Sequence, residues 1–150
     1  MIYIITISVL FADQITKMLA VKELPLYRPV PVCPFFNLFL TLNRGISFSL
    51  FSNDSAWTPW ILSVLTLGIS GMIMYWLHRE KNQVMRIGLA LILGGAFGNL
   101  IDRVRLGAVI DFLDFYIGDY HWPAFNLADS AICIGVALIL IKSFGKEKKK

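Results

Sequence analysis

The chain has 150 residues, room for one domain only. Hydrophobic residues make up 57% of it and charged residues 16%, with a mean hydropathy of +0.66, so polar side chains are too few to coat a soluble globule and lipid is the expected solvent. The net charge of +4 does not point to nucleic acid, because Lys142, Lys146, Lys148, Lys149 and Lys150 gather beside an apolar run, where a basic tail reads as a membrane-side anchor.

A helix needs about 20 mostly apolar residues to span a bilayer. Four segments meet that need: Ile2 to Val21, Trp57 to Leu77, Val84 to Ile101 and Leu127 to Phe144. The expected fold is therefore an all-α polytopic membrane protein, a single membrane-embedded domain over residues 1–150. The first span carries Asp13, Gln14 and Lys17 and lacks the basic segment and small-residue cleavage site of a secretory signal, so it reads as retained. Asp13 and Lys17 stand four residues apart, where they can pair and make each other tolerable in lipid.

The connection from Lys22 to Ala56 begins with Pro25, Pro29, Pro31 and Pro34, which make it extended and non-helical. After them, Asn37 to Leu42 is rich in large apolar residues and Ile46 to Leu50 alternates with a period of two. Two short strands joined at Asn43-Arg44-Gly45 would form a small sheet just outside the bilayer; an apolar loop lying at the interface is the alternative. The link from His78 to Gln83 and the tail hold Arg79, Lys81 and the tail lysines with little acid beside them. The positive-inside rule then places both termini in the cytoplasm and the two longer connections outside. In the third span Gly94 and Gly98 give the four-residue spacing of close helix packing in lipid. They do not form a nucleotide loop, for no strand precedes them and no polar phosphate ligand follows. Cys33 and Cys133 have neither metal-ligand nor disulfide-framework spacing, and Cys133, inside an apolar run, reads as a small buried hydrophobe.

Carboxylates at the edges of apolar runs need a reason, since a charge at membrane depth costs at least a few kcal/mol. Asn99, Asp102 and Arg103 share one helix face; they either finish the third span at headgroup level or turn hydrogen bonds inward. Asn126 and Asp129 stand at the start of the fourth span, where capping and the helix dipole account for both. Asp129 would also lie level with Asp111, which sits between Ile110 and Phe112 in surroundings that keep a carboxyl protonated. Spacing alone leaves two readings open for this pair: a proton-sharing dyad of the aspartic-protease kind, or a proton or ion relay. Asp114 and Asp119 are expected to face water and His121 to make a loop hydrogen bond.

Five ordered blocks resemble the signature of a known family. They are Asp13-Gln14-x-Thr16-Lys17, Leu42-Asn43-Arg44-Gly45 with Phe48-Ser49, Gly98-Asn99-Leu100-Ile101-Asp102-Arg103, Val109-Ile110-Asp111-Phe112, and Trp122-Pro123-x-Phe125-Asn126-Leu127-Ala128-Asp129-Ser130. Together they are similar to the blocks of bacterial lipoprotein signal peptidase, or signal peptidase II, and cover nearly the whole chain. The resemblance implies four transmembrane helices with a small extracytoplasmic β-sheet that cradles substrate. It implies an aspartyl endopeptidase of the cytoplasmic (inner) membrane that cuts prolipoprotein signal peptides before a diacylglyceryl-modified cysteine. The site would lie on the extracytoplasmic side, and the enzyme would work as a monomer without metal or cofactor. Carried over residue by residue, the catalytic pair falls on Asp111 and Asp129. The supporting residues fall on Asp13, Lys17, Asn43, Asn99, Asp102, Arg103 and Asn126. Ile46-Ser47 stands where the family usually has two alanines, a departure that touches the substrate groove and not the pair.

Overall fold

The structure, a computed structural model, describes residues 2–45 and 57–147, with side chains through residue 144. Helices α1 (Ile2–Glu23), α2 (Thr58–Arg79), α3 (Gln83–Leu106) and α4 (Leu127–Glu147) are joined with strands β1 (Pro29–Cys33), β2 (Phe36–Asn43), β3 (Val109–Ile117) and β4 (Tyr120–His121). Each of the four helices contains a stretch long and apolar enough to cross a membrane. The strands form one antiparallel sheet in the order β1-β2-β3-β4. The sheet sits where α1 and α3 end and α4 begins. At the other end of the bundle Ile2 packs with Leu77 and Leu89, and Tyr3 Oη meets His78 Nε2 at 3.0 Å.

Helix α3 is the centre of the bundle, and its glycines are the cause. A Cβ on Gly94 would lie 2.7 Å from Val9 Cβ and 2.8 Å from the Thr6 carbonyl oxygen of α1, and one on Gly98 would collide with the Asp13 carboxylate. The neighbouring Gly95 lies against the Ala128 carbonyl of α4, so the two sides of one glycine cluster accept two helices. Lipid provides no hydrophobic drive between helices, and this close backbone contact is what holds them. Large apolar side chains such as Phe11, Met72 and Ile141 remain exposed on the outside of the bundle, as contact with lipid requires.

The third span runs past its expected end at Ile101 to Leu106, so Asp102 and Arg103 lie within the helix and do not finish it. The terminator is Gly107, left-handed at φ 66°, whose N–H donates to the Arg103 carbonyl at 3.0 Å. At the other end Asn82 Oδ1 accepts from the N–H groups of Val84 and Met85, a side-chain N-cap.

The sheet is present, and one of the two strands expected in the first connection is among its members. The segment Asn37 to Leu42 lies in β2, whose partners among the described residues are the proline-rich β1 and the distant β3. The expected strand Ile46 to Leu50 lies outside the described residues. Pro29 and Pro31 are accommodated because β1 is an edge strand, where a missing N–H breaks no ladder. The register gives Asn37↔Asp114 and Leu38↔Leu113, then Thr41↔Asp111, with an irregularity between Leu38 and Thr41. That extra residue in β2 turns Asn37 and Asn43, which share parity in sequence, to opposite faces of the sheet. Ile110 and Phe112 of β3 pack with Leu40 and with Ala20 at the end of α1, which seats the sheet on the bundle.

Candidate active site

Asp111 is the third residue of β3, and its carboxyl is held from two directions. Oδ1 accepts from Asn126 Nδ2 at 2.8 Å and Oδ2 from Asn43 Nδ2 at 3.1 Å. Asn126 precedes α4 and caps it reciprocally with Asp129. The Asp129 N–H donates to Asn126 Oδ1 at 2.9 Å, and the Asn126 N–H donates to Asp129 Oδ2 at 3.2 Å, a capping box built from an amide and an acid. The other oxygen of Asp129 accepts from Asn99 Nδ2 at 2.8 Å, and Asn99 Oδ1 accepts from Asn126 Nδ2 at 3.1 Å. Two side-chain amides therefore bridge the carboxyls of Asp111 and Asp129. The capping geometry is what aims Asp129.

Beneath the amides lies a buried cation. Lys17 Nζ is 2.8 Å from Asp13 Oδ2 and 2.7 Å from Asp102 Oδ2, and it donates to Asn99 Oδ1 at 2.9 Å, which uses all three of its protons. Lys17 is 1% exposed, Asp13 0% and Asp102 3%, so this is an interior cluster and not a rim of surface charges. Each acid also holds a backbone amide. Asp13 Oδ1 accepts from the Ala128 N–H in the first turn of α4 at 3.0 Å, and Asp102 Oδ2 from the Ile110 N–H of β3 at 3.2 Å. The cluster thus joins α1, α3, α4 and β3 around the residues that hold Asp111 and Asp129. Gln14 belongs to it too, donating to Asp102 Oδ1 at 3.1 Å and to the Gly98 carbonyl at 3.2 Å. Sequence reasoning passed it over as a site residue; its place beside Asp13, in a span where amides are costly, was the available signal.

Asp111 and Asp129 share a cavity of about 560 Å³ with Asn43, Asn99 and Arg103, walled on one side by Trp122 to Phe125. Burial, and after it the charge of Asp129, pushes the Asp111 carboxyl up to about 7, against the opposing hydrogen bonds from Asn43 and Asn126 and the charge of Lys17. Asp129, in the first turn of α4, uses both oxygens as acceptors, as a carboxylate does. A carboxyl that readily holds a proton near neutrality thus shares one cavity with a second carboxyl whose two oxygens both accept hydrogen bonds, the elements of an acid–base pair. A relay across the bilayer would need titratable groups along the length of the helices. Among the described residues, the buried carboxyls Asp13, Asp102, Asp111 and Asp114 all lie in the half of the bundle next to the sheet. No group of three His, Cys, Asp or Glu side chains among the described residues is arranged to hold a metal ion.

Two expectations are corrected. Asp114 does not face water: it is buried on the opposite face of β3 from Asp111, where Asn37 Nδ2 donates to it at 2.9 Å and His121 Nδ1 lies 2.9 Å away. The reason is the strand itself, whose alternation places Asp114 with Ile110 and Phe112 over the bundle. Cys133 is exposed and not buried, because it stands one turn beyond Asp129 on α4 and borders the same cavity. Asp119 is exposed and His121 makes a hydrogen bond to Asp114, as expected.

The family described as signal peptidase (SPase) II matches residues 5–145 of the chain. A lipoprotein signal peptidase of Polynucleobacter necessarius subsp. necessarius (strain STIR1) is 48% identical over 147 residues, covering 95% of this chain and 90% of that protein. The chain belongs to the signal peptidase II family. A lipoprotein signal peptidase of Aeromonas hydrophila subsp. hydrophila is 47% identical over 141 residues, 92% of this chain and 84% of that one. A solved bacterial membrane enzyme, determined by the in meso method at 2.3 Å, superposes with a TM-score of 0.86 at 32% identity, covering 98% of this chain and 90% of that one. Family membership and the shared fold agree with the four spans and the antiparallel sheet described above.

Proposed function

We propose that Asp111 and Asp129 are the catalytic pair of this enzyme and that it cuts immediately before a diacylglyceryl-modified cysteine. As a member of the signal peptidase II family, an aspartic-type peptidase, the chain removes signal peptides from prolipoproteins. The observation that carries the assignment of the pair is the shared cavity onto which both carboxyls open from unlike surroundings, one buried in β3 and one at the start of α4. In the reaction, the Asp129 carboxylate takes a proton from water as its oxygen adds to the scissile carbonyl carbon. The tetrahedral intermediate then collapses with rupture of the C–N bond, and Asp111 gives its proton to the leaving nitrogen. The proton now on Asp129 exchanges through water to restore Asp111. Arg103, on the cavity wall and within electrostatic reach of both acids, is placed to offset the negative charge that develops on the carbonyl oxygen. Asn43, Asn99 and Asn126 hold the carboxyls in position, while Lys17, Asp13 and Asp102 hold the amides and the backbone beneath them.

The cytoplasmic membrane is the site of action, with both termini in the cytoplasm and the sheet and cavity outside; the basic link at Arg79 and Lys81 and the lysine tail support this orientation. In a background lacking Cys33 and Cys133, Asp119→Cys should react with an impermeant thiol reagent in intact cells and Lys81→Cys should not. The opposite pattern would invert the orientation.

Acyl chains already in lipid gain little by moving to another apolar surface. The lipid on the substrate therefore acts by holding the scissile bond at the depth of Asp111 and Asp129. Misplacing a reacting bond by an ångström can lower a rate about a hundredfold, and a drop of that order is expected when an unmodified precursor replaces the lipid-modified one in the same micelles. Equal rates would refute the positioning role of the lipid and leave the aspartyl chemistry untouched.

A further inference from the structure

The mechanism gives no work to Asp114, a carboxyl as buried as those of the active site. It is 4% exposed, and it ends among polar partners on the far side of β3 from Asp111. Asn37 of β2 donates to its Oδ2 at 2.9 Å, and both its oxygens lie 2.9 Å from His121 Nδ1 in β4. A carboxylate only accepts, so Nδ1 of His121 carries the proton in this bond. The imidazole stacks on Tyr116, its ladder partner, with centroids 5.0 Å apart and planes 17° apart.

Strand β4 is two residues long, and a pairing so short does not hold itself. Directly after it comes the segment Trp122 to Phe125 that walls the cavity. Its far end is secured by Phe125, whose N–H donates to the Leu113 carbonyl at 3.1 Å and whose carbonyl accepts from Phe112 and Leu113. Its near end has the Trp122 N–H, donating to the Phe115 carbonyl at 2.8 Å, and the side chain of His121 gripping Asp114. The same strand that carries Asp111 on one face thus carries, three residues on, an anchor for the Trp122 to Phe125 wall of the cavity.

We propose that Asp114 and His121 are a positioning pair for substrate binding, holding the Trp122 to Phe125 wall at the spacing from Asp111 and Asp129 that the bound peptide requires. The pair stands off the cavity, so it transfers no proton in the reaction; its effect is on the fit of the wall. Loss of the His121 donor leaves the Asp114 carboxylate with Asn37 and the near end of the wall held by the Trp122 N–H bond alone, so its spacing from Asp111 and Asp129 loosens. The inference rests on Asp111 and Asp129 as the cleaving pair. It is nevertheless separable from that assignment: appreciable turnover by Asp111→Asn would overturn the assignment and leave the comparison below unaffected.

The test is steady-state cleavage of a lipid-modified prolipoprotein in detergent micelles by wild type, His121→Ala, His121→Phe and His121→Asn. Losing a hydrogen bond to a buried carboxylate should raise KM about tenfold in His121→Ala while kcat stays within about threefold of wild type. His121→Phe keeps a ring against Tyr116 without the donor and should show the same rise, which keeps the test decisive if the alanine variant folds poorly. Asparagine can present an N–H near the position of Nδ1, so His121→Asn should recover most of the lost affinity. Unchanged KM in both His121→Ala and His121→Phe would overturn the proposal. So would a fall in kcat at constant KM, or failure of His121→Asn to recover affinity lost in the other two.

Discussion

Asp111→Asn and Asp129→Asn are each expected to lower the rate of prolipoprotein cleavage about a thousandfold or more, the upper range of what a positioned acid or base contributes. An asparagine keeps the size of the side chain and cannot take up or release the proton. Cleavage of a lipid-modified precursor by purified variants measures this, and turnover within tenfold of wild type by either one would remove that residue from the pair. Loss through misfolding is separated by a second readout. The Asp111 carboxyl is pushed up to about 7 in the folded chain and titrates near 4 when unfolded. Between those values the folded chain holds a proton that the unfolded chain has released. The stability from this group is therefore complete below about pH 4 and is lost as pH rises through 7. The melting temperature of the wild type in detergent should accordingly fall relative to that of Asp111→Asn between pH 5 and pH 8. A constant difference between the two would mean that Asp111 is an ordinary carboxylate. For activity, the pair titrates jointly, so the rate should rise and then fall with pH, since either losing the shared proton or gaining a second stops the cycle.

Lys17→Met should be the most destabilising change among the supporting residues, by about 3 to 5 kcal/mol, because it leaves carboxylates buried without their cation. Lys17 is 2.8 Å from Asp13 and 2.7 Å from Asp102, and none of the three is open to water. Its third proton orients Asn99, which in turn donates to Asp129, so activity should fall along with the melting temperature. Adding Asp102→Asn to Lys17→Met removes one uncompensated charge and should recover part of the stability, whereas activity should stay low because Asn99 Oδ1 still lacks the Lys17 donor and is held by Asn126 alone. A Lys17→Met variant that melts with the wild type would show that the buried cluster contributes little to folding.

Four apolar runs of spanning length, the basic link and tail, the Gly94 to Gly98 spacing and the pairing of Asp13 with Lys17 were all legible along the chain. These features depend on composition, period or separation by one helical turn, and such information is local. The strand β3 was not legible although β-branched and aromatic residues fill much of Val109 to Ile117 between Gly107 and Gly118, because Asp111 and Asp114 put an acid on each face and break the apolar alternation that marks a strand. What tertiary structure alone decided concerns contacts between residues far apart in sequence. The bulge in β2 sends Asn43 to Asp111 and Asn37 to Asp114, though a strict alternation would put both asparagines on one face. Asp102 could have ended a helix at the headgroups; it is instead an interior partner of Lys17, because α1 crosses the glycine face of α3 at that level. Asn126 and Asp129 carried a capping signal in their spacing. That the same cap also points Asp129 into the cavity of Asp111 follows only from where β3 passes the start of α4, a position set by the Asp102 bond to Ile110 and the Asn126 bond to Asp111.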